Sequence, residues 1–331
     1  MTWFSDLTGI DVETLQSVDR FLRVDGEYLI SDVNQRRFKV GNLTLPNLST
    51  LRNEIVQGEG RISVSEIVAD IRDLHADKEN AGAIFQVASQ FNLLEMVSPS
   101  FRPEDGVGLY ENDHTQGPTC AISCGAGTIY RNYFVPVGDH IGQREHSQID
   151  SLDDVASALK NDENNYWEMR NGYALPTVGG LDRLNDVIAG MSQEEVDRLR
   201  GCLRIGVHAD TEVTLQNGGH CVTQIYCSAM PVSYGFDKAK LWQKIASLVL
   251  EAAYEATLLA AFRNSLKTGN KRVFLTLLGG GAFGNQPIWI IDAILRALRL
   301  MKHKNLDVFL VSYRSQNLIV RQILDRWNLE V

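Results

Sequence analysis

The sequence predicts an α/β protein in which a mixed, mostly parallel sheet is covered by helices on both faces. Three observations carry this expectation. From Ile84 onward, apolar runs of strand length alternate with helix-patterned segments, the order that builds a helix-covered sheet. The run Val273-Phe274-Leu275-Thr276-Leu277-Leu278 passes through Gly279-Gly280-Gly281-Ala282-Phe283-Gly284-Asn285 into a segment where Ile291, Ile294, Leu295 and Leu298 recur at helical spacing, with Pro287 acceptable in its first turn. Between about Asp237 and Asn264, Leu241, Ile245, Leu248, Ala252 and Leu259 form overlapping apolar stripes, which reads as a core helix.

The elements follow in chain order. Residues 1–75 read as short mixed pieces: Tyr28-Leu29-Ile30 is strand-like, Leu43 to Leu51 is broken by Pro46, and Ser63 to Leu74 has helical spacing with Ser63 and Glu66 as a capping pair. Ile84 to Ala88 is a strand ending in the polar cluster Ser89-Gln90-Phe91-Asn92. Tyr133 to Val137 reads as a strand, Ser151 to Leu159 as a helix, and Ser192 to Leu203 as a helix capped by Ser192 and Glu195. Leu203 to His208, Val222 to Cys227 and Asp307 to Ser312 complete the strands.

With 331 residues, 44% apolar and 22% charged, the chain can bury a sizeable core. No Pro/Gly/Ser-rich linker divides it. The expected organisation is an N-terminal extension, residues 1–75, packed on a main domain of residues 76–331. A net charge of −9 and a pI near 5.3 argue against general nucleic-acid binding, which needs a basic face. The N-terminus Met1-Thr2-Trp3-Phe4-Ser5-Asp6 lacks the order of a secretion signal, and Lys244, Glu251 and Glu255 argue against a membrane span in the long helix, so no membrane partner and a cytoplasmic address are expected. The five cysteines have no metal-knuckle spacing, so neither disulfides nor a metal site is expected. Cys120 with His114, or Cys221 with His220, is left as an alternative nucleophile pair.

Three stretches point to chemistry. Glycines between a strand and a helix leave unhindered N–H groups beside a positive helix end, a seat for phosphate or pyrophosphate; with no lysine in the loop it is not the ATPase type. Gly279, Gly281 and Gly284 also satisfy dinucleotide spacing, but the strand that follows ends in Tyr313-Arg314 where an acidic residue would grip a ribose, which weakens an NAD-dependent oxidoreductase reading. Pro103 to Pro118 carries Glu104, Asp105, Glu111 and Asp113 among glycines, either as a functional loop or as a solvated turn with an N-cap at Asp113 or Thr115. Gln90 and Asn92, placed after a strand end, either bond a ribose or satisfy a local turn.

Together, the strand into Gln90-Phe91-Asn92, the Asp105 to Pro118 loop and Gly279 to Asn285 resemble the macrodomains, the three-layer α/β/α fold that binds ADP-ribose. Gly281-Ala282-Phe283-Gly284-Asn285 is similar to the loop by which macrodomains hold the diphosphate. Within that superfamily the chain looks like the MavL-like, poly(ADP-ribose) glycohydrolase-like branch of arginine-specific ADP-ribosyl hydrolases, because two aspartates eight positions apart precede Thr115-Gln116-Gly117-Pro118. The triple glycine followed by glutamine and paired glutamates of the polymer-cleaving enzymes is absent. The resemblance implies Asp105 and Asp113 as catalytic residues. It implies Gln90, Asn92, Thr115, Gln116, Gly117, Gly279, Gly280, Gly281, Ala282, Phe283, Gly284 and Asn285 as ADP-ribose contacts. It further implies an ADP-ribosylated protein such as ubiquitin as partner, while the absence of ligand-spaced Cys and His and the incomplete nicotinamide fingerprint predict no metal or cofactor. A non-catalytic ADP-ribose reader is the competing expectation.

Overall fold

Alternating side chains along the strands define two faces of one central sheet. The computed structural model describes residues 2–54, 60–235 and 238–330; Met1 and Asp237, the expected helix start, lie outside the described residues. The seven strands are β1 (Asn42–Thr44), β2 (Ser63–Val68), β3 (Ile84–Ala88), β4 (Gly206–Glu212), β5 (Cys221–Cys227), β6 (Arg272–Leu275) and β7 (Asp307–Ser312), in the spatial order β1-β4-β5-β3-β6-β7-β2. Neighbours from β5 to β2 are parallel, whereas β4 runs antiparallel to β5 and β1. The sheet is mixed and mostly parallel, as the sequence predicts.

Helices cover both faces. They include α1 (Ile71–Ala76), α2 (Gln116–Ser123), α3 (Gly125–Tyr133), α4 (Gly180–Ala189), α5 (Gln193–Gly201), α6 (Ala239–Thr268), α7 (Pro287–Leu300) and α8 (Leu318–Asn328). On one face Ile84, Val273, Leu275, Val308 and Leu310 pack with α6 and α7. On the other, Phe85, Val87 and Phe274 pack with Ile71, Leu74 and Cys120 of α1 and α2. Here the rings of His75, Phe85, Phe274 and Phe309 stack in succession at 3.8, 4.6 and 5.3 Å, a cross-strand ladder that fixes the register of β3, β6 and β7. The three-layer α/β/α order follows from this period-two pattern.

The long helix α6 is apolar nearly all round because it is enclosed on nearly all sides. It is long and apolar enough to cross a membrane, yet 89% of its most apolar window is buried inside the protein. Its Glu255 is buried and is held by Arg52 at 2.5 Å and Arg296 at 2.6 Å, which offsets the cost of burying the carboxylate.

Three expectations are corrected. Ser63 to Leu74 is not one helix: Ser63–Val68 is β2, in which Ser63 hydroxyl donates to Asp307 and Glu66 accepts from Ser312 and the Asn317 N–H. Val64, Ile67 and Val68 favour a strand, and six residues paired with β7 outweigh the capping pattern. A short helix, α1, begins only after Asp70, whose side chain accepts from the Arg72 N–H. Tyr133 closes α3, leaving Pro136–Val137 as a two-residue strand in a hairpin with His140–Ile141. Finally, the boundary at residue 75 cuts across the sheet, because the segment before it supplies both edge strands, β1 and β2. What packs outside the sheet is narrower: Phe4, Leu7, Val18 and Leu29 share a core with Ile129 and Tyr133 of α3.

Candidate active site

The cleft forms where two parallel strands part. β3 and β6 pair only through Ile84 with Val273 and Phe85 with Phe274. Beyond that point the backbone of β3 lacks a strand partner on that side, and Gln116 from the first turn of α2 replaces one. Its Nε2 donates to the Gln86 carbonyl at 2.7 Å, and its Oε1 accepts from the Ala88 N–H at 2.9 Å. The divergence opens a cleft of about 240 Å³ past the carboxyl ends of β3, β5 and β6, the position where open α/β sheets bind ligands.

One wall is the glycine turn after β6, of which Gly279, Gly281, Ala282 and Phe283 face the cleft. The N–H groups of Gly281, Ala282 and Phe283 have no protein acceptor among the described residues, and a Cβ added at Gly281 would meet nothing within 4 Å. This is a bare stretch of donors, suited to an anion. The other glycines have structural tasks. Gly284 lies at φ +70°, and a Cβ there would come 2.0 Å from Ser233 Oγ; Gly279 lies at φ +71°, with Ala229 as close as 2.5 Å. Gly280 does not line the cleft. Asn285 is buried, its amide donating to the Met230 carbonyl at 2.8 Å, so it braces the turn.

The opposite wall comes from the acidic loop and α2. Asp113 lines the cleft and uses one oxygen to accept from the Thr115 N–H at 2.9 Å, which orients the turn into α2. Thr115 occupies the N-cap position without a side-chain cap bond. Asp105 is elsewhere: it closes the 3₁₀ turn 103–105, accepting from the Arg102 N–H at 2.8 Å and pairing with the Arg102 guanidinium at 3.0 Å, outside the cleft lining. That guanidinium holds its carboxyl below the usual carboxylate range. The loop is pinned from the N-terminal segment, where Glu13 accepts from Val107 and Gly108 N–H groups and from Tyr133 hydroxyl, and the Trp3 N–H donates to Glu111.

The amides after β3 also serve local structure. Gln90 lines the cleft, but its side chain bonds both the N–H and the carbonyl of Met96. Asn92 is fully buried between the Leu94 N–H and Gln148, away from the cleft. Gly117 and Gln116 are cleft residues whose first duty is packing against β3.

The residue missed in the sequence is Glu95. It lies in the cleft lining, buried, with neither carboxylate oxygen hydrogen-bonded by protein among the described residues. Arg131 Nη2 stands 3.7 Å away, too far for a hydrogen bond. Burial outweighs that neighbouring charge and, with a smaller push from Asp113 in the same direction, raises the Glu95 carboxyl to about 8. A lone acid inside the otherwise apolar run Leu93-Leu94-Glu95-Met96-Val97 was the available signal. All five cysteines are free of disulfides; burial pushes the Cys120 thiol well above its ordinary value, with its suggested partner His114 exposed, and raises the Cys221 thiol beside His220 as well.

A second chamber of about 360 Å³ adjoins the first and shares Thr115, Gln116, Thr276 and Leu277 with it. Ile71, Leu277, Val311 and the exposed ring of Tyr313 form its apolar sides, past the ends of β2 and β7.

No protein-family model matches this chain, and no curated protein matches it. Among solved structures, it is similar to a poly(ADP-ribose) glycohydrolase from Thermomonospora curvata (TM-score 0.45, 12% identity, 97% of this chain and 98% of that one). It is also similar to a poly(ADP-ribose) glycohydrolase from Deinococcus radiodurans in complex with ADP-ribose (TM-score 0.42, 9% identity, 86% and 95%). A third is an Oceanobacillus iheyensis macrodomain with MES bound (TM-score 0.38, 10% identity, 88% and 100%).

Proposed function

We propose that this protein is an ADP-ribosyl hydrolase that removes mono-ADP-ribose from arginine side chains, with an ADP-ribosylated protein such as ubiquitin as its substrate. The observation that carries the reading is the joining, in one cleft, of the bare N–H groups of Gly281 to Phe283 with the Asp113 carboxylate. A diphosphate seated on those donors places a ligand that continues in two directions. The apolar chamber beside Tyr313 suits a flat base, and the Asp113 side suits the ribose whose bond is cut. Asp113 takes a proton from the attacking water as positive charge develops on the sugar, following the carboxylate logic of glycoside hydrolysis by analogy.

The test is mass spectrometry of products after incubation with arginine-, glutamate- and serine-linked ADP-ribosyl peptides. Release of ADP-ribose from the arginine-linked peptide alone is expected. Tight ADP-ribose binding with no release from any peptide would leave a reader instead.

A further inference from the structure

We propose that Glu95 is the receptor for the cationic attachment: this buried residue of the cleft lining, whose carboxyl takes no hydrogen bond from the described residues, pairs with the guanidinium of an ADP-ribosylated arginine. This rests on the hydrolase reading above and assigns its linkage preference to one side chain. The first support is geometric. Glu95 is 2% exposed, and α2 packs on it closely enough that a Cβ at Gly117 would lie 3.2 Å from its Cγ. A buried carboxyl with neither oxygen bonded is costly in a finished structure and is the kind of group a ligand completes.

The second support is charge balance. The titratable groups around Glu95 are Asp113 from the loop, Tyr110 from the 3₁₀ turn before it, Cys120 on α2, Arg131 on α3 and Tyr226 on β5. Burial raises Tyr110, Cys120 and Tyr226, which keeps them neutral, so two carboxyls face one fixed cation. Arg131 is itself committed elsewhere: it donates to the Leu93 carbonyl at 3.1 Å and Thr128 at 3.2 Å and lies 3.7 Å over the Tyr226 ring. An incoming guanidinium supplies the second positive charge, and Glu95 then gives up its proton to solvent. A serine-linked or ester-linked glutamate attachment is neutral and brings no such charge.

Proton release is the direct readout. Hydrolysis itself is proton-neutral, since the guanidinium-linked sugar and water give a free guanidinium and a hydroxyl-bearing ADP-ribose: the C–N bond breaks, the water oxygen bonds the sugar carbon, and the water's second proton returns to the departing guanidine. Stopped-flow mixing of the full-length protein with saturating arginine-linked ADP-ribosyl peptide, in weak buffer with an indicator dye, should therefore show a burst approaching one proton per enzyme at pH 7. That burst should vanish near pH 9, where Glu95 is already ionised. Free ADP-ribose should give none. Glu95→Gln, close in shape and neutral, should abolish the burst and lower kcat/KM on the arginine-linked peptide by about 10²-fold, chiefly through KM, while binding free ADP-ribose within about twofold of wild type. A wild type that turns over the peptide without a burst, or a burst that survives in Glu95→Gln, overturns the proposal and leaves the hydrolase reading standing. Failure of the wild type to bind ADP-ribose sinks that reading instead.

Discussion

A Cβ placed on Gly117 would come within 1.9 Å of the Ala88 carbonyl oxygen, so the first turn of α2 rests directly on the end of β3. With Gln116 bonding the same strand, this contact fixes both sides of the cleft relative to each other. The obstacle is backbone and cannot rotate aside. Gly117→Ala should therefore destabilise the protein by about 1–3 kcal/mol or more, through displacement of α2. Urea unfolding would measure it, and a midpoint equal to wild type would show that α2 is not seated as described.

Gly281 and Gly284 separate ligand approach from folding. The Gly281 position is open, whereas Gly284 has a left-handed backbone and Ser233 against it. Gly281→Ala should leave stability within ~0.5 kcal/mol of wild type and weaken ADP-ribose binding about tenfold, by covering the donors. Gly284→Ala should instead lower stability by about 1–2 kcal/mol. Calorimetric titration beside thermal melts distinguishes them; lost affinity only in Gly284→Ala would move the diphosphate seat elsewhere.

Buried His75 predicts acid sensitivity. Its Nδ1–H donates to the Ile71 carbonyl at 2.8 Å, which leaves Nε2 to accept from the Gln224 amide at 3.1 Å, and burial holds the ring down to about 4. Since the folded value lies below the unfolded 6.5, the unfolded chain binds the extra proton between them. The contribution is fully present above about pH 6.5 and is lost as pH falls through about 4, by up to about 3 kcal/mol. His75→Phe should cost stability at pH 7 and fall behind wild type by less at pH 4.5. A gap constant over that range in denaturant titrations would rule out a buried neutral histidine.

The sheet was legible because its interior is written in local pattern: Ile84 to Ala88 and Asp307 to Ser312 stand where their apolar runs place them. β2 was not, because Ser63 and Glu66 fit a helix cap until β7 is brought alongside from some 240 positions later, a pairing no local window contains. The glycine turn was likewise visible, but spacing could not divide it into Gly281, which is bare, and Gly284, which is constrained. Asp105 illustrates the limit most sharply. Its partner Arg102 sits three residues before it, an ordinary turn closure that composition cannot tell from catalysis.

The two aspartates eight positions apart should therefore behave differently. Asp113 faces the cleft with one oxygen uncommitted to the backbone, while both oxygens of Asp105 are taken by Arg102 at the protein surface. A carboxylate can deprotonate water only where substrate reaches it. Asp113→Asn keeps an oxygen for the Thr115 N–H and removes the charge, so it should fold, bind free ADP-ribose, and lose about 10²–10⁴-fold in rate on arginine-linked substrate. Asp105→Asn should keep its rate within about threefold and lose no more than ~1 kcal/mol of stability, the size of an exposed ion pair. Single-turnover release from an arginine-ADP-ribosylated peptide measures both. Equal loss in the two variants would mean that the loop closes on substrate as a unit and brings Asp105 inward; a fast Asp113→Asn would remove Asp113 from the chemistry.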